Sequence, residues 1–159
     1  MAYTTINKSS LHFSTKLYTG TGSAASITGV GFQPDWVWVK DRSAANSNQI
    51  SDVLRGPTKT WFTDAAAAES TDAQRLTSFD SDGFSVGTNS SWNTNSNNYV
   101  SWNWKAGGSG VTNTDGNMNT TVTVSANTTA GFSIVTWTGS GNTTYNTIGH
   151  GLGVAPKWV

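Results

Sequence analysis

The sequence predicts an all-β protein that folds as an antiparallel β-sandwich. Three observations predict this fold: short segments with alternating side chains, Gly, Asn and Ser turns between them, and little helical periodicity. Short, evenly spaced strands without intervening helices favour a sandwich over βαβ units. The composition of the 159 residues is typical of extracellular β-rich proteins and virion surface proteins, since only 11% are charged while 17 are glycine and eight are tryptophan.

The central strand is predicted within residues 29–42, which read GVGFQPDWVWVKDR. Side chains on a strand point alternately to its two faces, so Trp36 and Trp38 share one face and two valines share the other. Because both sets are apolar, we expect this strand to be buried on both sides. Asp35 and Asp41 flank the strand and are expected to cap its ends.

The other strands of the first unit are short segments between turn signals, and the last of them alternates again. They are predicted at residues 12–19, 26–30, 50–55, 58–62, 75–79, 83–87 and 99–105. In the last of these, we expect Val100, Trp102 and Trp104 to be buried and the polar residues between them to face water. Residues 64–72 contain four consecutive alanines and are the one stretch for which a short helix or a loop is expected.

The sequence divides into an N-terminal arm, a sandwich domain, a linker and part of a second unit. These are residues 1–17, 18–105, 106–118 and 119–159, and the linker is rich in Gly, Ser and Asn. Residues 149–159 repeat the order Gly-x-Gly, Pro, charged residue, Trp-Val of the central strand. Because this second copy ends as its Trp strand begins, we expect the chain to continue beyond Val159, or a neighbouring subunit to complete the unit.

The composition argues against several particular classes of partner and site. Nine basic and nine acidic residues cancel, so neither nucleic acid nor an anionic membrane is an expected partner. No apolar run is longer than four residues, so no membrane insertion is expected. Without cysteine, neither a disulfide nor a thiolate metal site can form. The first 20 residues lack the apolar core of a signal peptide, which fits a virion protein released by lysis or a mature fragment.

The residues that carry chemistry are few and scattered, and we predict neither an enzyme nor a cofactor. Glu69 is the only glutamate, whereas glycoside hydrolases place two carboxylates around the scissile bond. Asp80 and Asp82 belong to a turn signal, with calcium binding as the weaker alternative. His12 and His150 lie in different units, so that no catalytic triad or metal-ligand spacing emerges.

The tryptophans suggest a second kind of function, because exposed indole rings can stack on sugar faces. Trp92 lies in an Asn- and Ser-rich loop and is the best candidate for a glycan contact, followed by Trp61. Packing in the core or at an interface is the alternative for both. A core role is expected for the tryptophans on the two alternating strands, which are Trp36, Trp38, Trp102 and Trp104.

Five segments in combination resemble a known group of proteins. They read MAYTTINKSS, FSTKLYTGTG, GVGFQPDWVWVKDR, SFDSDGFSVG and YVSWNWKAGG. The combination is similar to the opening of tail-fibre and virion structural proteins of marine tailed bacteriophages, over most of residues 1–159. This resemblance implies a lectin-like jelly roll similar to concanavalin A-like sandwiches, and it carries no catalytic residues.

The resemblance also implies where the protein acts and with which partners. We expect the virion-proximal part of a tail fibre on the exterior of the tail, a homotrimer whose distal regions meet host surface glycans. The arm would dock on a tail adaptor or nozzle protein through four apolar residues, Tyr3, Ile6, Leu11 and Phe13; the alternative is a disordered chain end. Two other functions stay open, a carbohydrate-binding lectin-like module and a capsid-attached fibre or decoration protein.

Overall fold

The part of the chain that the structure describes is antiparallel β almost throughout. A computed structural model describes residues 6–141, 143 and 145–159. Its strands are β1 (Phe13–Thr19), β2 (Ala25–Thr28), β3 (Trp36–Asp41), β4 (Gln49–Asp52), β5 (Lys59–Phe62), β6 (Ser70–Thr71), β7 (Leu76–Asp80), β8 (Gly83–Val86), β9 (Asn98–Trp104), β10 (Val111–Asn113), β11 (Val122–Asn127) and β12 (Phe132–Trp137). A 3-10 helix, Ser9–Leu11, precedes β1, and one turn of α-helix, α1 (Ser90–Asn93), precedes β9.

The sheets of the first unit form a sandwich. Six strands in the order β1-β9-β3-β4-β5-β6 make the larger sheet, and a three-stranded sheet, β2-β8-β7, covers one of its faces. A further sheet, β10-β11-β12, belongs to the second unit. This arrangement confirms the predicted all-β antiparallel sandwich, whereas the finer jelly-roll connectivity stays a prediction.

The core lies between the six-stranded sheet and the sheet that covers it. Val37 and Val39 of β3 point into this core and are almost completely buried. Leu76, Phe84 and Val86 of the covering sheet join them in one cluster. Strands β3 and β8 contribute residues two positions apart, Val37 with Val39 and Phe84 with Val86, since such side chains share a face.

The face of strand β9 that was expected to meet water lies on the inner side of the sheet. Ser101 and Asn103 are completely buried, whereas Trp102 and Trp104 are half-buried on the opposite, outer face. The prediction that these tryptophans are core residues and that the polar residues face water is therefore wrong. Small polar side chains can be buried here because they are hydrogen-bonded, as when the Asn103 amide donates to Ser14 O at 3.1 Å.

Strand β3 is fully buried on one face only. Its valines are buried, while Trp36 and Trp38 are half-buried on the same outer face as the tryptophans of β9. The prediction of burial on both sides is thus wrong for the tryptophan face. Alternation of two apolar sets identifies a strand, but it does not tell which set meets the second sheet.

The only α-helix among the described residues lies elsewhere than predicted. Residues 64–72 contain no helix, and the alanines there are exposed. The helical turn is α1, at Ser90–Asn93. The Asn89 side chain accepts a hydrogen bond from the Ser91 N–H at 2.8 Å and so caps its start. The alanines at residues 65–68 are exposed, so no packing supports a helix there, and helix preference alone does not stabilise so short a segment.

The predicted arm and the predicted linker both contain ordered strands. The arm boundary at residue 17 falls inside β1, which pairs with β9 over its whole length. The segment expected to be flexible, residues 106–118, contains β10, which pairs with β11, and Ala106 is buried. The composition of residues 106–118 predicted a flexible linker, because composition does not reveal that strand pairing satisfies the hydrogen-bonding groups of the backbone. The turn signal at Asp80 and Asp82, between the strands predicted at 75–79 and 83–87, is confirmed by the β7–β8 hairpin.

Candidate functional site, an outer aromatic face and a closed junction

Trp92, the first candidate for a glycan contact, is a core residue. Its side chain is completely buried, so no ring face is open to a sugar. The indole N–H donates to Gln49 Oε1 at 2.7 Å, and Phe84 meets the ring edge-on with centroids 6.4 Å apart. The Tyr99 hydroxyl holds the same helix by donating to Ser90 O at 2.9 Å. The prediction of a glycan contact at Trp92 is therefore wrong, because α1 directs this ring into the core.

Trp61, the second candidate, is half-buried with one ring face covered. The Arg55 guanidinium lies 3.3 Å from the ring centroid, a cation–π contact. Arg55 also pairs with the buried carboxylate of Asp52, and Glu69 Oε2 lies 3.7 Å from Arg55 Nε. Trp36 meets Trp61 edge-to-face with centroids 5.2 Å apart. Trp61 thus belongs to a packed cluster, and its role in glycan binding stays a prediction.

The four residues of the predicted docking arm have different surroundings. Tyr3 lies outside the described residues. Leu11 is in the 3-10 helix and is 50% exposed. Ile6 and Phe13 line an apolar cavity of about 270 Å³ together with residues of the second unit. Phe13 belongs to β1 and packs on Trp104 with ring centroids 4.7 Å apart, so it is part of the sheet rather than of an arm.

Four tryptophans form a ladder on the outer face of the six-stranded sheet. Trp36 lies opposite Trp104, and Trp38 lies opposite Trp102, across the β3–β9 pair. Residues opposite each other in antiparallel strands point to the same face. The rings of Trp38 and Trp102 have centroids 5.5 Å apart. We call these four half-buried residues the outer aromatic face.

The second unit covers one end of the outer aromatic face. Phe132, the first residue of β12, stacks on Trp104 with centroids 6.1 Å apart and an angle of 24° between the rings. The same ring meets Trp36 edge-on at 6.1 Å. The Trp38–Trp102 pair lies two residues farther along both strands. The Trp36–Trp104 end of the outer aromatic face therefore contacts the second unit, and the Trp38–Trp102 end lies beyond that contact.

A buried aspartate closes the junction between the two units. Asp35 is 2% exposed, and its Oδ2 accepts the N–H groups of Ala106 at 2.7 Å and of Gly108 at 3.2 Å. The Gly107 N–H between them donates to Ser125 Oγ of β11 at 2.8 Å. Three successive backbone donors are thus satisfied by one side chain from each unit. The junction is a fixed, hydrogen-bonded turn.

Close packing adds to the hydrogen bonds at this junction. A Cβ on Gly107 would lie 2.7 to 2.8 Å from backbone atoms of Ala126, closer than any real side chain approaches. Asp35 was expected to cap the central strand, but its partners could not be foreseen because they lie more than 70 residues later in the chain. Ser125 and Phe132 carried no sequence signal for their contacts with the first unit.

The Asp41 carboxylate organises the loop that follows β3. Burial alone would raise its pKa, but hydrogen bonds from the Ser43 N–H, the Asn97 and Asn46 side chains and the Ala44 N–H outweigh burial and lower it. The bond from Asn97 comes from the segment that precedes β9, at 3.0 Å. The fold therefore keeps this carboxylate ionised.

Asp82 fixes the glycine motif that leads into β3. It accepts the Gly31 N–H at 2.6 Å and the Gly29 N–H at 3.0 Å, and these bonds lower its pKa. Gly29 and Gly31 have positive φ angles of 81° and 92°. Gly151 and Gly153, the corresponding glycines of the second copy, have φ angles of 71° and 72°. The apolar residue between the glycines is buried in both copies. The two copies thus share backbone conformation as well as sequence order.

Asp80 has hydroxyl partners and joins no metal-holding group in the described part of the chain. Asp80 accepts hydrogen bonds from the hydroxyls of Ser78 and Ser85, each at 2.7 Å. Among residues 6–141, 143 and 145–159, no group of three or more His, Cys, Asp or Glu side chains is placed to hold a metal ion. No described helix has the length and apolar character needed to cross a membrane.

Comparison with known proteins places the chain beside one family. Residues 8–159 match the domain of unknown function DUF7483. The match runs from the start of the 3-10 helix through the second unit and so includes the junction. No curated protein and no solved structure matches the chain.

Proposed function

The chain belongs to the DUF7483 family, and we propose that it is a structural module of a bacteriophage virion, the virion-proximal part of a tail fibre. The proposal combines the resemblance of five segments to phage tail-fibre proteins with the closed junction at Asp35. A fixed orientation of successive modules suits a fibre whose distal regions are to be held away from the virion. The junction is the observation that best supports such a role.

Polar and aromatic contacts at the junction favour a single orientation of the two units. The Asp35 carboxylate and the Ser125 hydroxyl bind the connecting backbone, and Phe132 packs on tryptophans of the first unit. All of these contacts act only at short range, so rotation of one unit would break them together. A Gly- and Ser-rich connection without such partners would behave as a flexible coil.

The proposal implies an assembly on the exterior of the tail. The resemblance implies a homotrimer that docks on a tail adaptor or nozzle protein through the N-terminal arm, while distal regions meet host surface glycans. Of the three described residues predicted to dock, Ile6 and Phe13 pack against the module, and Leu11 has the largest exposed fraction, 50%. Leu11 is therefore the described residue best placed for docking.

Analysis of purified virus particles tests the proposal. We expect mass spectrometry to find peptides of this chain in the particles, and gold-labelled antibodies against the folded module to mark the tail. Label on the capsid would favour the capsid fibre or decoration protein instead. Particles that lack these peptides would contradict both forms of the proposal.

Substitutions at the surface test the docking arm separately. Leu11→Glu is expected to lower incorporation into particles without changing the free energy of unfolding, because Leu11 is half exposed. Val154→Glu is the matched control, since Val154 is 70% exposed and lies in the second unit. Equal incorporation of the two variants would refute docking through Leu11.

A carbohydrate-binding, lectin-like module is the second candidate function. The half-buried Trp38–Trp102 pair on the outer aromatic face favours it, because aromatic rings with an accessible face can stack on sugars. We expect binding on a glycan array to be lost in Trp102→Ala and kept in Trp158→Ala, whose side chain is 89% exposed in the second unit. An array without hits, or hits that both variants retain, would reject this candidate.

A further inference from the structure

The first strand leaves one edge of the six-stranded sheet unpaired in the described chain. Strand β1 stands at the end of the sheet order and pairs with β9 alone. His12 O accepts the Lys105 N–H at 2.9 Å, and the Gly20 N–H donates to Asn97 O at 2.8 Å. Because bonding alternates along an antiparallel strand, the even-numbered residues bond to β9. The free edge then carries the N–H and C=O groups of Phe13, Thr15, Leu17 and Thr19.

Two of these edge residues have exposed apolar side chains. Phe13 is 36% exposed and Leu17 is 60% exposed. They lie opposite Trp104 and Val100 of β9, which places both on the outer face of the sheet. The edge therefore offers free backbone groups and apolar side chains along the same line.

Strand β1 has one of the features that usually protect an edge and lacks the others. Natural edge strands are blocked by proline, by a bulge or by charged side chains, inward-pointing ones included. Strand β1 has no proline, and its pairing with β9 is continuous. Its one charged residue, Lys16, points to the inner face, where its Nζ lies beside Gly29. This charge restricts pairing at the edge to registers in which Lys16 does not lie opposite a second charge.

We propose that β1 pairs antiparallel with β1 of a second copy of this chain, about a twofold axis at Thr15. In this register, Phe13 of each copy lies opposite Leu17 of the other, so that two apolar cross-strand pairs form on the outer face. Thr15 lies opposite its own counterpart. The free backbone groups of the three residues on each strand exchange about six hydrogen bonds.

Charge repulsion and the pairing of apolar side chains favour the register with its axis at Thr15 over registers shifted along the strand. An axis at Lys16 would place two lysine side chains opposite each other, and like charges in that position are destabilising. An axis at Leu17 would leave Phe13 without an apolar partner. With the axis at Thr15, Lys16 lies opposite Ser14, and all four apolar side chains are paired.

The contact is small, so the association is weak. One strand edge with two apolar side chains per copy falls well below the ~800 Å² per partner of a stable interface. The dimer is accordingly expected only at high protein concentration. The inference does not rest on the proposed function. It concerns a twofold pair of isolated modules, whereas the resemblance to tail-fibre proteins implies a threefold assembly.

Cysteine cross-linking tests the register. The chain has no cysteine, so Thr15→Cys introduces one thiol per copy. The proposed axis brings the two thiols to the separation that a disulfide spans. Thr19→Cys is the matched control, since it is exposed on the same strand and face while its counterpart in the dimer lies about 25 Å away. We expect a disulfide dimer of Thr15→Cys after mild oxidation, and much less of Thr19→Cys.

Sedimentation velocity tests the pairing without cysteine. Leu17→Lys is expected to weaken self-association about tenfold or more, because it places a charge opposite an apolar residue. Val111→Lys is the control, since Val111 is 70% exposed on β10, an edge strand of the other unit. Circular dichroism verifies that every variant is folded.

Three outcomes would overturn the inference: equal cross-linking of the two cysteine variants, a loss of association only in Val111→Lys, or a monomer at every concentration. A trimer that Leu17→Lys leaves intact would also overturn it. None of these results bears on whether the chain is found in virus particles, so the two proposals fail separately.

Discussion

Trp92 is held in the core by its volume and by its indole N–H. The ring packs against Phe84, and the N–H donates to Gln49 Oε1. Gln49 is itself only 2% exposed, so water cannot easily replace this donor. A tryptophan buries on the order of 150 to 250 Å², which makes this residue a large single contribution to the core.

Truncation of Trp92 is expected to destabilise the fold strongly. Trp92→Ala should lower the free energy of unfolding by about 3–5 kcal/mol, and Trp92→Phe by about 1–3 kcal/mol because Gln49 Oε1 loses its donor. Urea denaturation followed by circular dichroism measures both. Trp158→Ala is the control and should stay within about 0.5 kcal/mol, since Trp158 is 89% exposed. Similar losses in the two alanine variants would contradict the burial of Trp92.

Asp35 allows a second prediction for a single residue. Asp35→Ala leaves the N–H groups of Ala106 and Gly108 without their acceptor, which should cost about 2–4 kcal/mol. Asp35→Asn keeps an acceptor oxygen and should cost less. Amide hydrogen exchange at residues 106 and 108 measures the effect locally. Unchanged exchange in Asp35→Ala would show that the carboxylate does not hold the junction.

Among the elements, the connection between β9 and β10 depends on a glycine. Gly107→Ala would force a Cβ against the backbone of Ala126 in β11, so the connection must move away from the second unit. We expect faster proteolysis near residue 107 while the first unit stays folded. Gly139→Ala is the matched control, because nothing lies within 4 Å of its Cβ position. Equal proteolysis of the two variants would contradict close packing at Gly107.

The elements also show what the sequence could and could not reveal. Alternation predicted β3 and β9, and a turn signal predicted the β7–β8 hairpin, because both patterns are local properties of the sequence. It could not reveal which face of β9 is inner, since that depends on a sheet formed by distant strands. The junction was missed for the same reason, as Asp35 and Ser125 meet only after both units fold. Trp92 was misassigned because the polarity of its loop concealed the cap at Asn89.

For the molecule as a whole, two depressed pKa values predict sensitivity to acid. The folded pKa values of Asp41 and Asp82 lie below the ordinary 3.8 of an aspartate, so the unfolded chain binds more protons in acid. Their contribution to stability is present above about pH 4 and is lost as the pH falls through the folded pKa values. Urea unfolding between about pH 6 and pH 2.5 measures this loss.

Neutral substitutions identify the groups responsible. Asp41→Asn and Asp82→Asn should each lower stability at neutral pH and flatten its decline in acid. Asp64→Asn is a comparison on an exposed residue that bonds a single N–H, that of Asn48 at 3.0 Å. An acid decline that keeps its slope in the double variant of Asp41 and Asp82 would assign it to other groups.

The junction contacts imply that the two β units form one rigid structural body. Residual dipolar couplings of the backbone amides in weakly aligned solution measure this rigidity. The couplings of β1–β9 and of β10–β12 should fit one alignment tensor in the unmodified chain, and should separate into two in Asp35→Ala. Two tensors of different magnitude in the unmodified chain would contradict the claim, because the units would then move independently.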